Sequence, residues 1–135
     1  MFSSRLRQIH VAALSPRYNS SYQLVGMELV ALCDTWEDKL REVGEQFRAK
    51  GREVTLYTDY GKLLEHDLDA VILANYYHEH APFAIRALEA GKHVMSECAA
   101  CHTLAEGVAL IRAVEKSKKS TCSPRIIRTR PTTRR

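Results

Sequence analysis

In Asp69-Ala-Val-Ile-Leu-Ala-Asn-Tyr-Tyr-His-Glu-His80, five consecutive apolar residues, Ala70 to Ala74, run into an asparagine and a cluster of aromatic and titratable side chains. An unbroken apolar run of this length reads as a strand buried on both faces, as in the middle of a parallel sheet, and is far too short to span a membrane. The next segment is predicted to be helical, with Pro82 near its first position and Gly91 just past its end. His93 to Ser96 gives another short strand. Thr103-Leu-Ala-Glu106 then has the spacing of a capping box, followed by Leu104, Val108, Ile111 and Glu115 along one helical face with Val114 beside them.

The same alternation extends toward the amino terminus. Glu28 to Cys33 is a second buried strand, ended by Asp34. Trp36, Leu40, Val43 and Phe47 recur at helical spacing behind it, which predicts a helix with Thr35 as N-cap, Glu37 and Asp38 in its first turn, Trp36 in the core and Gly51 at its close. Val54 to Tyr57 is a short strand, and Asp59 is placed to cap a brief helix over Lys62 to His66. Ile9 to Leu14, bounded by the turn pair Ser15-Pro16, is the first strand. Strands alternating with helices imply an α/β fold: a Rossmann-like, doubly wound parallel sheet with helices on both faces. Ligands of such sheets sit at the carboxyl ends of the strands, where strand order reverses. Ser15 to Ser20, Asp34, Asn75 to His80, and Glu97 to Cys98 are therefore the candidate site residues.

With 135 residues the chain has room for one such domain and not for a two-domain enzyme. Its net charge of +4 is the sum of three unlike blocks: +3 over Met1 to Met27, −7 over Glu28 to Glu115, which holds all the carboxylates, and +8 beyond. The expected division is a folded domain over 1–119 and a disordered basic tail over 120–135. An acid-free, Ser- and Arg-rich amino end is also the composition of a mitochondrial transit peptide, but a first buried strand accounts for it; the interrupted apolar run is too short for a secretory signal. The expected location is the cytoplasm, with the four cysteines as reduced thiols.

Four phrases together, Glu-Leu-Val-Ala-Leu-Cys-Asp34, Asp69 through His80, Ala-Leu-Glu-Ala-Gly91-Lys-His-Val94, and Glu97 followed by the Thr-x-x-Glu helix, carry a resemblance. In order and spacing they resemble the amino-terminal, nucleotide-binding half of the glucose-fructose oxidoreductase and inositol dehydrogenase family (Gfo/Idh/MocA), clear from about Glu28 to Lys119. The resemblance implies NAD as cofactor and a sugar- or polyol-like substrate, which a carboxyl-terminal domain would supply the pocket to bind. Asp34 matches the acidic residue that accepts hydrogen bonds from the adenosine ribose, and its charge disfavours a 2′-phosphate. His80 matches the histidine after the fourth strand, beside the nicotinamide end, and Asn75 and Tyr76 are cofactor-binding candidates in the same loop, where Tyr76 and Tyr77 replace a Thr-Pro common in the family. Glu97 matches the glutamate of a Glu-Lys-Pro signature.

Three departures accompany this match. Ser15-Pro16-Arg17-Tyr18-Asn19-Ser20 stands where the family has a glycine-rich turn, which needs glycines for a tight bend and close approach to pyrophosphate. Glu97-Cys98-Ala99 replaces Glu-Lys-Pro, removing a lysine that assists proton transfer in the resembling enzymes, so no catalytic residue is assigned. The substrate domain lies outside this sequence. The expected partner is therefore a dinucleotide, with a diverged or fragmentary half of low activity on its own and neither membrane nor nucleic acid as partner. A non-enzymatic module using the basic tail on an anionic partner is the alternative. Cys98-Ala-Ala-Cys101-His102 also matches the haem-attachment pattern and suits a redox pair ahead of a helix, but two reduced thiols beside the cleft explain it, and no second pair suggests a metal.

Overall fold

The computed structural model describes residues 9–14, 27–97 and 99–122. The Ser15 to Ser20 turn, Cys98 and the tail from 123 onward lie outside the described residues. Six parallel strands, β1 (Ile9–Leu14), β2 (Met27–Cys33), β3 (Thr55–Tyr57), β4 (Ala70–Leu73), β5 (His93–Ser96) and β6 (Thr121–Cys122), form one sheet in the order β3-β2-β1-β4-β5-β6. The chain steps outward from β1 to β3, crosses back, and steps outward again from β4. The switch point therefore falls between β1 and β4. Thr121 and Cys122, expected as the start of the basic extension, instead pair with Val94 and Met95 as the sixth strand.

Among the described residues four α-helices cover the sheet: α1 (Glu37–Ala49), α2 (Tyr60–Glu65), α3 (His80–Glu89) and α4 (Leu104–Ser117). On one face α1 presses Leu40, Val43 and Phe47 against Leu32 and Ile72. On the other, Leu63 of α2, Ala84, Ala87 and Leu88 of α3, and Leu110 of α4 pack with Ala31, Val71, Leu73 and Val94. Burying each large apolar side chain contributes roughly 1.5–3 kcal/mol, against only a few tenths for exposed helical ion pairs such as Arg41–Glu37 at 3.0 Å. Burial therefore fixes the helices in place. Tyr60 adds a polar tie, donating its hydroxyl to the Phe83 carbonyl at 2.9 Å and joining α2 to α3. Asp59 caps α2 through the Lys62 N–H and Thr103–Glu106 closes a capping box on α4, both as expected. Gly51 and Gly91, at φ +71 and +74, leave α1 and α3 through the left-handed conformation that glycine adopts without strain.

Two local expectations are overturned, and the packed face of α4 is a further finding. Trp36 is not core: it is the N-cap residue, in extended backbone, and its side chain is 65% exposed. The buried face of α1 begins with Leu40, because Trp36, although at helical spacing, has extended backbone that turns its side chain away from the helical stripe. Thr35 does not cap α1; the Asp34 side chain instead accepts from the Trp36 N–H at 2.8 Å. The Leu104–Val108–Ile111 stripe of α4 faces outward, with Leu104 86% exposed. The buried contact is made by Leu110 with Ala113 and Val114 beside it.

Candidate functional site

Strand register brings the site residues to one edge. Tyr57, Cys33, Leu14, Leu73 and Ser96 are aligned across β3, β2, β1, β4 and β5. Asp34 and Glu97 each stand one residue beyond this row, and Asn75 two beyond it. Asp34 and Glu97 are three strands apart, roughly 14 Å at about 4.8 Å per strand, with the switch point between them. The site is thus an elongated crest with one carboxylate at each end.

At the β2 end, the Asp34 N–H bonds the Tyr57 carbonyl at 3.1 Å, which fixes its backbone as a continuation of the sheet. One carboxylate oxygen accepts from Trp36 N–H at 2.8 Å. No described residue donates to the other oxygen, and the side chain is half-buried, so it remains an acceptor for a ligand. Beneath it the Cys33 thiol is pushed up to about 11, chiefly by burial and then by the neighbouring Asp34 and Asp59 carboxylates. That thiol is a packing group and not a nucleophile.

The β4 end is built differently. His80, the first residue of α3, is only 2% exposed and holds two loops together. Its Nε2 lies 3.1 Å from the Asn75 carbonyl; its Nδ1 lies 2.8 Å from Ser96 Oγ and 2.9 Å from the Ala99 carbonyl. With Nε2–H donating to Asn75, Nδ1 accepts the hydroxyl proton of Ser96. The β4–α3 loop is thereby closed on itself and tied to the β5–α4 loop. Asn75 donates through Nδ2 to Glu79 Oε2 at 3.1 Å, while its Oδ1 is buried with no partner among the described residues. An unmet buried acceptor costs about 1–3 kcal/mol, so Asn75 Oδ1 calls for a donor. Glu97 is exposed, its N–H held by the Leu73 carbonyl at 3.0 Å.

Tyr76 and Tyr77 point outward, 69% and 51% exposed. His66 and His93 serve the scaffold: His66 Nδ1 pairs with the Tyr57 hydroxyl at 2.8 Å, and His93 Nδ1 accepts the Ser120 N–H at 3.0 Å. Ser96 was not among the sequence candidates. A hydroxyl at the end of an otherwise apolar strand needs a buried partner, and that was the available signal. Among the described residues no three His, Cys, Asp or Glu side chains are grouped to hold a metal, and no helix is long and apolar enough to cross a membrane.

These features coincide with a match of residues 5–124 to the model of the Gfo/Idh/MocA family, an oxidoreductase family of NAD-binding Rossmann fold. Over 103 residues the chain is 33% identical to a glycosyl hydrolase family 109 protein of Shewanella putrefaciens and 34% identical to an alpha-N-acetylgalactosaminidase of Shewanella oneidensis. Each match covers 72% of this chain and 22% of the relative. Among solved structures, scyllo-inositol dehydrogenase from Lactobacillus casei with NAD(H) and scyllo-inositol superposes with a TM-score of 0.74 at 18% identity, covering 87% of this chain and 36% of that one. The WlbA dehydrogenase of Chromobacterium violaceum, solved with NADH and UDP-GlcNAcA, gives 0.71 at 22% identity, covering 87% and 35%. At these identities the structural likeness is one of fold. The chain spans about a fifth of the curated relatives and about a third of the solved ones.

Proposed function

The chain belongs to the Gfo/Idh/MocA oxidoreductase family through its NAD-binding Rossmann domain, and from that premise we propose that it is the nucleotide-binding half of an NAD-dependent enzyme acting on sugar- or polyol-like substrates. The observation that carries the proposal is Asp34: a half-buried carboxylate one residue past the end of β2, beside the switch point, with one oxygen used by the turn and the other available. A carboxylate there accepts from ribose hydroxyls and repels a 2′-phosphate, which selects NAD over NADP. The buried Oδ1 of Asn75, without a partner among the described residues, fits the far end of the same ligand. Asn75 and Tyr76 border the nicotinamide end, Glu97 lies across from them, and His80 acts by holding the two loops in place. NAD, when bound, supplies the hydride acceptor or donor.

The substrate class rests on the names of the relatives, which join an inositol dehydrogenase, a UDP-sugar-bound dehydrogenase and glycosidases. The glycosidase names favour a second reading, in which the net reaction is cleavage of a glycosidic bond. A substrate domain like the remaining length of those relatives is required for either, so the chain alone binds NAD without turnover. Calorimetric titration of the full chain with NAD and NADP, beside assays on scyllo-inositol and an N-acetyl-α-galactosaminide, tests this. NAD binding without turnover is expected. Absence of NAD binding overturns the nucleotide-binding role, and turnover by the chain alone overturns the need for a second domain.

A further inference from the structure

At the nicotinamide end, which Tyr76 borders, the crest carries a run of exposed rings that extends past the dinucleotide. Tyr76, Tyr77 and His78 from the β4–α3 loop meet His102 from the β5–α4 loop in a chain of ring contacts. Tyr76 stacks on His78 with centroids 5.8 Å apart and planes 19° from parallel; Tyr77 meets His78 edge-on at 5.7 Å and His102 edge-on at 5.2 Å. Both tyrosines and both histidines are exposed. We infer that this four-ring ledge seats the face of the substrate's sugar or cyclitol ring, a role that rests on the proposed sugar-directed function and names the subsite within it.

The chemistry of the ledge fits that occupant. A pyranose or cyclitol presents axial C–H groups on its faces and hydroxyls around its rim. The C–H groups, slightly positive, lie on the negative face of an aromatic ring, as the ring quadrupole favours. Imidazole nitrogens of His78 and His102 and the exposed carboxylate of Glu97 are of the right types to meet rim hydroxyls. The rings are also pre-positioned. The His80 Nε2–H donates to the Asn75 carbonyl and its Nδ1 accepts from Ser96 at the end of β5, so one buried side chain joins the ends of the two loops that present the rings. The capping box adds to this, with Glu106 accepting the His102 N–H at 2.8 Å. Pre-positioned aromatic side chains bind at low entropic cost. The adenosine end is excluded as occupant, because Asp34 lies two strands from β4, on the other side of the switch point.

The test uses the full chain with labelled tyrosine and histidine rings, observed by NMR during titration with scyllo-inositol, with N-acetylgalactosamine and, separately, with adenosine. Saturable shifts of the Tyr76, Tyr77, His78 and His102 ring signals by a sugar or cyclitol at millimolar concentration are expected, with Tyr60 unmoved. The double variant Tyr76→Ala/Tyr77→Ala should weaken that response at least about tenfold, as expected for loss of two of the four rings. Both sites are exposed, and unchanged Tyr60 and His80 signals verify folding. No saturable shift, an equal response in the double variant, or a preference of the rings for adenosine would overturn the ledge. NAD binding read by calorimetry in the same samples separates the two proposals: NAD bound with silent rings rejects the ledge alone, whereas loss of NAD binding rejects the nucleotide-binding role.

Discussion

The two ends of the crest solve the same positional problem by opposite means. At the β2 end one side chain, Asp34, is offered to a ligand by a strand that would stop there in any case; its only described side-chain bond is to the Trp36 N–H. At the β4 end the exposed groups hang on a buried frame in which His80 meets Asn75, Ser96 and Ala99. Binding and stability are therefore separable at the first end and joined at the second.

His80→Ala gives the most forceful way to break that contrast. It leaves a cavity and strips a partner from the buried Ser96 hydroxyl and from the Asn75 carbonyl, so a loss of about 3 kcal/mol is expected, or a fall in Tm on the order of 10–20 °C for a domain of this size. Urea or thermal unfolding measures it. A loss under about 1 kcal/mol would mean that the loops are held by something else. Asp34→Ala should do the reverse. Affinity for NAD is expected to fall ten- to a hundredfold, since hydrogen bonds to a charged group contribute about 1.5–3 kcal/mol, while unfolding free energy moves by less than about 1 kcal/mol. Calorimetry with NAD and NADP checks both halves of the expectation, because the variant should also discriminate less against NADP. Unchanged NAD affinity would remove Asp34 from the site.

The same contrast explains which parts were legible in the sequence. Asp34 could be found because a strand end is visible as the close of an apolar run, and the position is set by the backbone alone. The strands and the switch-point crest followed for the same reason, since β2, β4 and β5 are short apolar runs bounded by polar residues. The clamp at the other end joins residues 5 to 19 positions apart through a carbonyl, a hydroxyl and a ring. No periodicity reports such contacts. The packed face of α4 was illegible for a related reason. Leu104, Val108 and Ile111 look like the buried stripe because they are large, yet the packed side uses Leu110, Ala113 and Val114 against α3 and the core. Small residues there allow close approach of helices, and a count of large apolar side chains passes over them. Trp36 misled in the same way, by size and spacing without helical backbone.

A smaller effect is expected from the cap that steadies the β5–α4 loop. Thr103→Ala removes the acceptor for the Glu106 N–H at 3.2 Å and should cost about 1 kcal/mol of unfolding free energy. Glu106 adds a pH signature. The His102 N–H first, and the Thr103 N–H second, hold its carboxyl below the usual glutamate range. A carboxylate with a lowered pKa in the folded state stabilises above its unfolded value, and that contribution disappears as pH falls through the folded one. The stability difference between the wild type and Glu106→Gln should therefore be complete at neutral pH and close in acid below the normal glutamate range, as read by unfolding at a series of pH values. A difference independent of pH would show that the carboxylate's charge is not what the cap uses.

The smallest effect returns to the β2 end and asks what Asp34 does when no ligand is considered. Its carboxylate stands next to Cys33, whose thiol titrates at about 11 for two kinds of reason: burial first, and the charges of Asp34 and Asp59 after it. If that order holds, Asp34→Asn leaves the thiol neutral near pH 8 and still enclosed, because Cys33 is only 4% exposed and the substitution does not open the β2–α1 turn. Alkylation of Cys33 by iodoacetamide, followed by peptide mass mapping, should then be slow and equal within about threefold in wild type and variant, limited by opening of the structure. The half-buried Cys101 provides an internal comparison that reacts faster in both. An increase beyond about tenfold at Cys33 alone would correspond to roughly 1.4 kcal/mol and would place the carboxylate's field, and not burial, in control of the thiol. Asp34 would then be coupled to the core beneath it, and its end of the crest would no longer be independent of the fold in the way that distinguishes it from the His80 end.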